Sequence, residues 1–234
     1  MAKLFLVRPR GNPVTTSRSP EETREHYVSY MGKPLGEASY ALWSEVALLF
    51  RDWSEFTYLF GSHPNRTELL NKAAPVFFRS VQVALFEATV LRIARLTDPP
   101  KSVGKSNLTV QQLPDLADTS IAGELTRLVE EAKEAAGFCR DWRNRQIAHR
   151  DLQLALSNDA EPLPDATIEK VKKAILALGA ILNSLTQHYL NSTTLFEFDG
   201  VPGGAPTLLK VLQDGMKLKT ERLAALKRGE LPSR

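Results

Sequence analysis

The chain is expected to be all-α: an up-down antiparallel helical bundle with a flexible N-terminal arm and a C-terminal accessory helix. Three features of the sequence predict it. Apolar residues recur every three or four positions over several long windows. No segment alternates apolar and polar residues over a convincing strand length. The connections between the long patterns are short, which favours antiparallel neighbours.

Residues 1–20 contain Pro9, Gly11, Asn12, Pro13, Ser17 and Pro20 without periodicity and read as a mobile arm. Residues 21–31 suit a short helix, broken by Gly32, Pro34 and Gly36. Ser39 is a candidate cap for a helix over residues 39–60, with Trp43, Val46, Phe50, Trp53 and Leu59 at helical spacing and Gly61 as its stop.

A second long pattern begins near Asn65 or Thr67 and runs to Thr97, with Pro75 kinking or dividing it. Val76, Val83, Phe86, Val90, Ile93 and Leu96 mark its apolar positions, and Asp98-Pro99-Pro100 ends it. A polar loop over 101–107 and a brief helix over 109–116 follow. Thr119 or Ser120 opens a third long helix whose stripe is Leu125, Leu128, Val129, Ala132, Ala136 and Cys139, leading into Trp142 and Ile147.

After a loop over 157–164, Asp165 is the expected N-cap of a fourth helix to Tyr189, striped by Ile168, Val171, Ile175, Leu178, Leu182 and Leu185. A turn over 200–206 leads into a last amphipathic helix over 206–228. The expected organisation is therefore an arm over 1–20, a helical bundle over 21–198, and a C-terminal amphipathic helix and tail over 199–234.

At 234 residues and 43% apolar content, the chain can bury one substantial core, or one core with appendages. A net charge of +3 biases it only mildly toward anionic partners. The local distribution says more. Lys3, Arg8, Arg10 and Arg18 lie in an acid-free stretch over residues 1–20, and Arg140, Arg143, Arg145 and Arg150 crowd one short segment. Such a tail and such a segment suit a phosphate backbone.

The one cysteine, Cys139, excludes an intramolecular disulfide and sits in a helical stripe as a core filler rather than a nucleophile. Residues 4–7 are too short for the apolar region of a signal peptide, and the apolar run over 174–182 is too short to cross a bilayer. The expectation is a soluble, cytoplasmic protein without membrane association.

Chemistry concentrates in Asp141-Trp142-Arg143-Asn144-Arg145-Gln146-Ile147-Ala148-His149-Arg150-Asp151. Arginine is a fixed cation whose planar fork fits phosphate oxygens, and histidine trades protons near neutral pH. Held together at a helix end, they suit phosphodiester chemistry without a metal. At about 100° per residue, Arg145 and His149 fall about 40° apart on a straight helix and Arg143 and His149 about 120° apart. Geometry alone therefore favours Arg145 as the partner of His149.

Residues 143–151 resemble the signature of the HEPN superfamily of small all-helical proteins, many of them metal-independent ribonucleases. The segment Leu91-Arg92-Ile93-Ala94-Arg95-Leu96-Thr97-Asp98-Pro99 is similar to a helix end of its AbiU2-like branch, named for an abortive-infection protein of phage defence. The likeness spans about residues 38–190. It implies Arg143 and His149 as the catalytic pair, which requires the helix to tighten or end before His149, or the two side chains to meet across a dimer. Arg145 is then an accessory phosphate contact. The resemblance also places the helix bearing Arg92, Arg95 and Asp98 against the motif helix, giving Asp98 or Arg95 a supporting role.

Cleavage through the 2′-hydroxyl needs a base, an acid and positive charge on the phosphorane. Of the four histidines, His26, His63 and His188 lack motif context, so one chain supplies one motif histidine. Two copies of Arg143 and His149 across a two-fold axis supply acid, base and clamp, as the family's fold implies. Asn144 suits a hydrogen bond to a phosphate oxygen or the histidine ring. Asp151 suits either orientation of that ring or a local cap.

The competing reading pairs Arg143 with a carboxylate such as Asp98 and uses His149 to cap the helix C-terminus. Likewise Arg92, Arg95 and Asp98, at three-residue steps, form a surface ion-pair ladder on that view.

No Gly-rich phosphate loop follows a strand, no His, Cys and carboxylate cluster has zinc spacing, and no Gly-x-Ser-x-Gly elbow is present. No cofactor and no metal ligand is expected. The expected activity is a metal-independent endoribonuclease acting on RNA as a homodimer, in phage defence or as a toxin, with an antitoxin or other protein as a possible further partner. The alternatives are a non-catalytic dimeric module binding RNA, a nucleotide or a protein, and a purely structural helical protein.

Overall fold

A computed structural model describes residues 6–7, 18–61, 63–102, 104–149, 151–156, 160–197, 200 and 203–229. Most of the expected N-terminal arm, and residues 157–159 of the expected loop, lie outside the described residues. The fold is an all-α helical bundle with almost no sheet. Its helices are α1 (Pro20–Met31), α2 (Lys33–Phe60), α3 (Pro64–Ala73), α4 (Pro75–Leu96), α5 (Leu113–Leu116), α6 (Thr119–Ala135), α7 (Gly137–Trp142), α8 (Leu152–Leu156), α9 (Ile168–Leu190) and α10 (Ala205–Lys227). Two-residue strands β1 (Leu6–Val7) and β4 (Thr193–Thr194) pair antiparallel, as do β2 (Lys101–Ser102) and β3 (Lys105–Ser106).

The helix starts show how local chemistry sets the boundaries. Ser19 caps α1 by a capping box with Glu22, so the helix begins at Pro20, whose fixed φ suits a first turn. Gly32 turns the chain at φ 75°, and α2 restarts at once. Pro34 and Gly36 thus lie inside the first turns of α2, where breakers were expected. Ser39 is consequently not the cap: it is buried within the helix. Gly36 is required there because a Cβ would lie 2.5 Å from the Val28 Cα on α1.

Pro75 does divide the second long pattern, into α3 and α4. Val76 and Val83 are exposed, whereas Val90, Ile93 and Leu96 are buried, so only the later part of α4 follows its expected stripe. The third pattern is not one helix. It breaks at Ala136–Gly137, and α7 runs into a π-helical turn over Arg143–Ile147. The fourth starts two residues later than expected, because Thr167 rather than Asp165 accepts from a helix amide, that of Lys170 at 3.2 Å.

The chain forms two compact units, Met1–Phe50 with Glu87–Glu197, and Arg51–Phe86 with Phe198–Arg234. In the first, α6 and α9 pack together, burying Leu125, Val129 and Ala132 from one and Ile175, Leu178 and Leu182 from the other. Phe50 and Phe196 stack in this unit at 5.0 Å, and both lie so close to Gly179 that a Cβ there would meet them at 3.2–3.3 Å. Trp43 donates Nε1–H to Thr194 Oγ1 at 3.0 Å, and the Asn183 amide brackets the Thr194 backbone.

In the second unit, α3 packs on α10 through a small core of Leu59, Leu70, Phe78, Ala205 and Leu209. Trp53 stacks on Phe56, and both are buried.

Candidate functional site

The site is built where α4 ends. The last carbonyls of a helix lack intrahelical partners, and here side chains from elsewhere supply them. Thr109 Oγ1 donates to the Leu96 carbonyl at 2.9 Å. The Thr97 carbonyl accepts from Gln111 Nε2 at 2.7 Å and from Arg140 Nη2 at 3.0 Å. One residue on, Asp98 accepts from Arg143 Nη1. Arg140 and Arg143, one helical turn apart, thus fasten α7 and the π turn to the end of α4. Arg140 stands in the basic segment, but its role as a clamp on a carbonyl has no sequence signal beyond that three-residue spacing to Arg143.

The motif begins as helix and then widens. The amide of Ala148 donates to the Arg143 carbonyl at 2.8 Å, a five-residue step in place of four. Regular helix is over by Ile147, and His149 lies beyond it. Of the conditions that a pairing of Arg143 with His149 imposes, the helix meets one: it ends before the histidine, although it loosens rather than tightens. The straight-helix face shared by Arg145 and His149 is not formed.

Each motif side chain has its own surroundings. Arg143 is mostly covered, its Nε donating to Asn144 Oδ1 at 3.0 Å while its Nη1 holds Asp98. A guanidinium has five N–H donors, so those two bonds leave further donors on Arg143. Arg145 is turned to a different task. Its Nε sits 3.4 Å from Asp151 and its Nη2 donates to the Glu161 carbonyl. Trp142 similarly ties the segment to the Pro164 carbonyl at 2.8 Å. His149 is exposed, and among the described residues no hydrogen bond or ion pair reaches its ring.

Asp151 takes the local role. Its Oδ1 accepts from the amides of Gln153 and Leu154, at 2.9 and 3.1 Å, and so starts α8. The Leu154 amide bond is the chief reason its carboxyl titrates below the ordinary aspartate value of 3.8, with Gln153 and Arg145 adding to it and desolvation opposing.

The structure therefore brings Asp98, Arg143 and Asn144 together, and separately Arg145 and Asp151. Arg95 is exposed on the last turn of α4 and makes no described side-chain bond to the motif. Arg92 Nε lies 3.7 Å from Glu45 of α2. Of the competing reading, the ion pair between Arg143 and Asp98 is present, and no capping bond from His149 is found among the described residues.

Among the described residues, no group of three or more His, Cys, Asp or Glu could hold a metal ion. Among them too, no helix is long and apolar enough to cross a membrane. Cys139 is buried, which pushes its thiol up to about 12.

Comparison with known families finds a match to the model described as AbiU2, over residues 32–201. No curated protein and no solved structure matches the chain. The matched stretch carries α2 through α9, both fastened arginines, Asp98 and His149. The chain belongs to the AbiU2 family of the HEPN superfamily.

Proposed function

We propose that this protein is a metal-independent endoribonuclease of the HEPN type, acting in phage defence or as a toxin. The observation that carries the reading is the contrast between its two motif side chains. Arg143 is held in place by Asp98 and Asn144 with donors to spare, while His149 stands exposed just past the helix end with no partner among the described residues. A held cation suits charge that develops on a phosphorane, because it needs no reorganisation during the reaction. An accessible imidazole suits proton transfer.

In this reading the 2′-hydroxyl oxygen attacks the adjacent phosphorus, and the P–O5′ bond breaks to leave a 2′,3′-cyclic phosphate. One His149 accepts the 2′-hydroxyl proton. A second, from another copy across a two-fold axis, protonates the departing 5′-oxygen. The two Arg143 side chains face the phosphorane oxygens, and Arg145 serves the RNA only as an accessory contact.

The test is incubation of purified protein with RNA in EDTA, comparing wild type with His149→Ala. The expected products end in a 2′,3′-cyclic phosphate or the derived 3′-phosphate, and RNA methylated at the 2′ position of the scissile nucleotide resists. Equal cleavage of 2′-blocked RNA overturns the mechanism. The Arg143–Asp98 ion pair favours a second reading, a non-catalytic dimeric module binding RNA, a nucleotide or a protein. Specific RNA binding that persists without cleavage in any metal-free condition selects it.

A further inference from the structure

The turn after α4 is a hairpin, β2 and β3, in which Lys101 faces Ser106 across the ribbon and Ser102 faces Lys105. Side chains alternate between faces along a strand and directly opposed residues share one. Each face of this ribbon therefore presents one lysine and one serine. All four residues are exposed, and none makes a described ion pair. The sequence holds no acidic residue between Asp98 and Asp115.

The hairpin is fixed on the same mount as the motif. Asn107 closes its base, its amide and its side chain donating to the carbonyls of Pro100 and Pro99, each at 2.8 Å. Just beyond it, Thr109 bonds the Leu96 carbonyl that ends α4 and Gln111 the next carbonyl, that of Thr97, while Thr97 and Asp98 also receive Arg140 and Arg143. A cationic hairpin and the Arg143 site are thus both tied by hydrogen bonds to the residues that end α4.

We propose that Lys101, Ser102, Lys105 and Ser106 of this hairpin are a second contact for the RNA backbone, gripping phosphates that flank the nucleotide at the motif. The proposal rests on the RNA reading given above. Ammonium and hydroxyl donors are the groups that contact phosphate oxygens. A protein partner is the poorer fit, since lysine and serine are depleted from protein interfaces and the hairpin has no aromatic residue. The contact is independent of sequence, so it adds affinity and sets the direction in which the strand leaves the site, without entering the chemistry.

The experiment compares wild type, the double variant Lys101→Ala with Lys105→Ala, and a control pair, Lys72→Ala with Lys210→Ala, of the same net charge. Two readouts are taken in EDTA: anisotropy of a labelled single-stranded RNA of about twenty nucleotides across a salt series, and cleavage of a dinucleotide too short to reach the hairpin. The hairpin variant should bind the long RNA roughly tenfold more weakly at low salt, with the salt slope smaller by about 0.7 to 1.4, one or two single-strand phosphate contacts. Dinucleotide cleavage should be unchanged. An unaltered slope, or an equal loss in the control pair, overturns the proposal. If wild type cleaves nothing but the slope still falls in the hairpin variant alone, the contact stands and the nuclease reading fails. If wild type binds no RNA at all, both fail.

Discussion

Arg143 reaches Asp98 across 45 residues of sequence, joining the π turn to the end of α4. The pair is neither fully buried nor free in solvent: its side chains are 24% and 19% exposed. The same bond has two consequences. It stabilises the junction modestly, and it fixes the direction of a guanidinium that retains other donors.

Asp98→Ala should therefore lower unfolding free energy by about 1 kcal/mol, the scale of a partly screened pair. It should also reduce RNA cleavage, because Arg143 loses its anchor. Urea denaturation and a cleavage assay on the same samples check both. Cleavage unchanged while stability falls would assign the pair a purely structural role.

The helical core was legible because burial repeats every three or four residues. Val171, Ile175, Leu178, Leu182 and Leu185 are all buried on α9, as their spacing requires. Boundaries were less legible, since they depend on which of several competent residues caps. Asp165 and Thr167 both qualify chemically, and only the fold selects Thr167. The contact between Asp98 and Arg143 is one that opposite charge suggests, but charge does not by itself choose between an anchor for catalysis and a purely structural ion pair. The π turn was not legible at all. Nothing in Arg143-Asn144-Arg145-Gln146-Ile147 announces a five-residue hydrogen-bond step, yet it dissolves the face that Arg145 and His149 would share. The contacts of Arg145 with Asp151 and Glu161 follow from the loop that returns to it, which periodicity does not describe.

Gly36→Ala should cost about 1–3 kcal/mol, the range for overpacking a site that cannot relax. The added methyl would meet the backbone of Tyr27 and Val28 rather than a movable side-chain tip. Thermal unfolding measures it. A neutral result would mean that α1 lifts from α2 at little cost.

Asp151 should show a carboxyl midpoint below the ordinary 3.8 in a carbon-detected titration. Because its folded value is depressed, its contribution to stability is present above the unfolded value and is lost as pH falls through the folded one. Arg145→Ala should raise the midpoint only slightly, since the Leu154 amide bond is the chief cause. A return to the ordinary value in Arg145→Ala would make the ion pair, not the cap, the dominant partner.

Cys139 should resist alkylation by iodoacetamide at pH 8 in the folded protein and react fully in urea. Burial pushes the thiol up to about 12, so almost no thiolate exists at that pH. The labelling rate then reports opening of the α6–α9 unit. Rapid labelling of the folded chain would show that α7 detaches readily.

His149→Ala should leave stability unchanged, because the exposed ring has no described partner to lose. Cleavage should fall by roughly a hundredfold or more, the usual effect of removing an acid–base group. Mixing then tests whether two histidines act together. If one copy of His149 is the base and the other the acid, a mixed dimer of wild type and His149→Ala is as impaired as the mutant dimer. Equal amounts of the two chains, re-equilibrated after co-unfolding, should then retain only about one quarter of the wild-type rate, since both roles must be filled in one dimer. Independent sites would instead retain about one half. A linear fall in rate with the fraction of mutant chain would remove the two-histidine mechanism, even if every other result held.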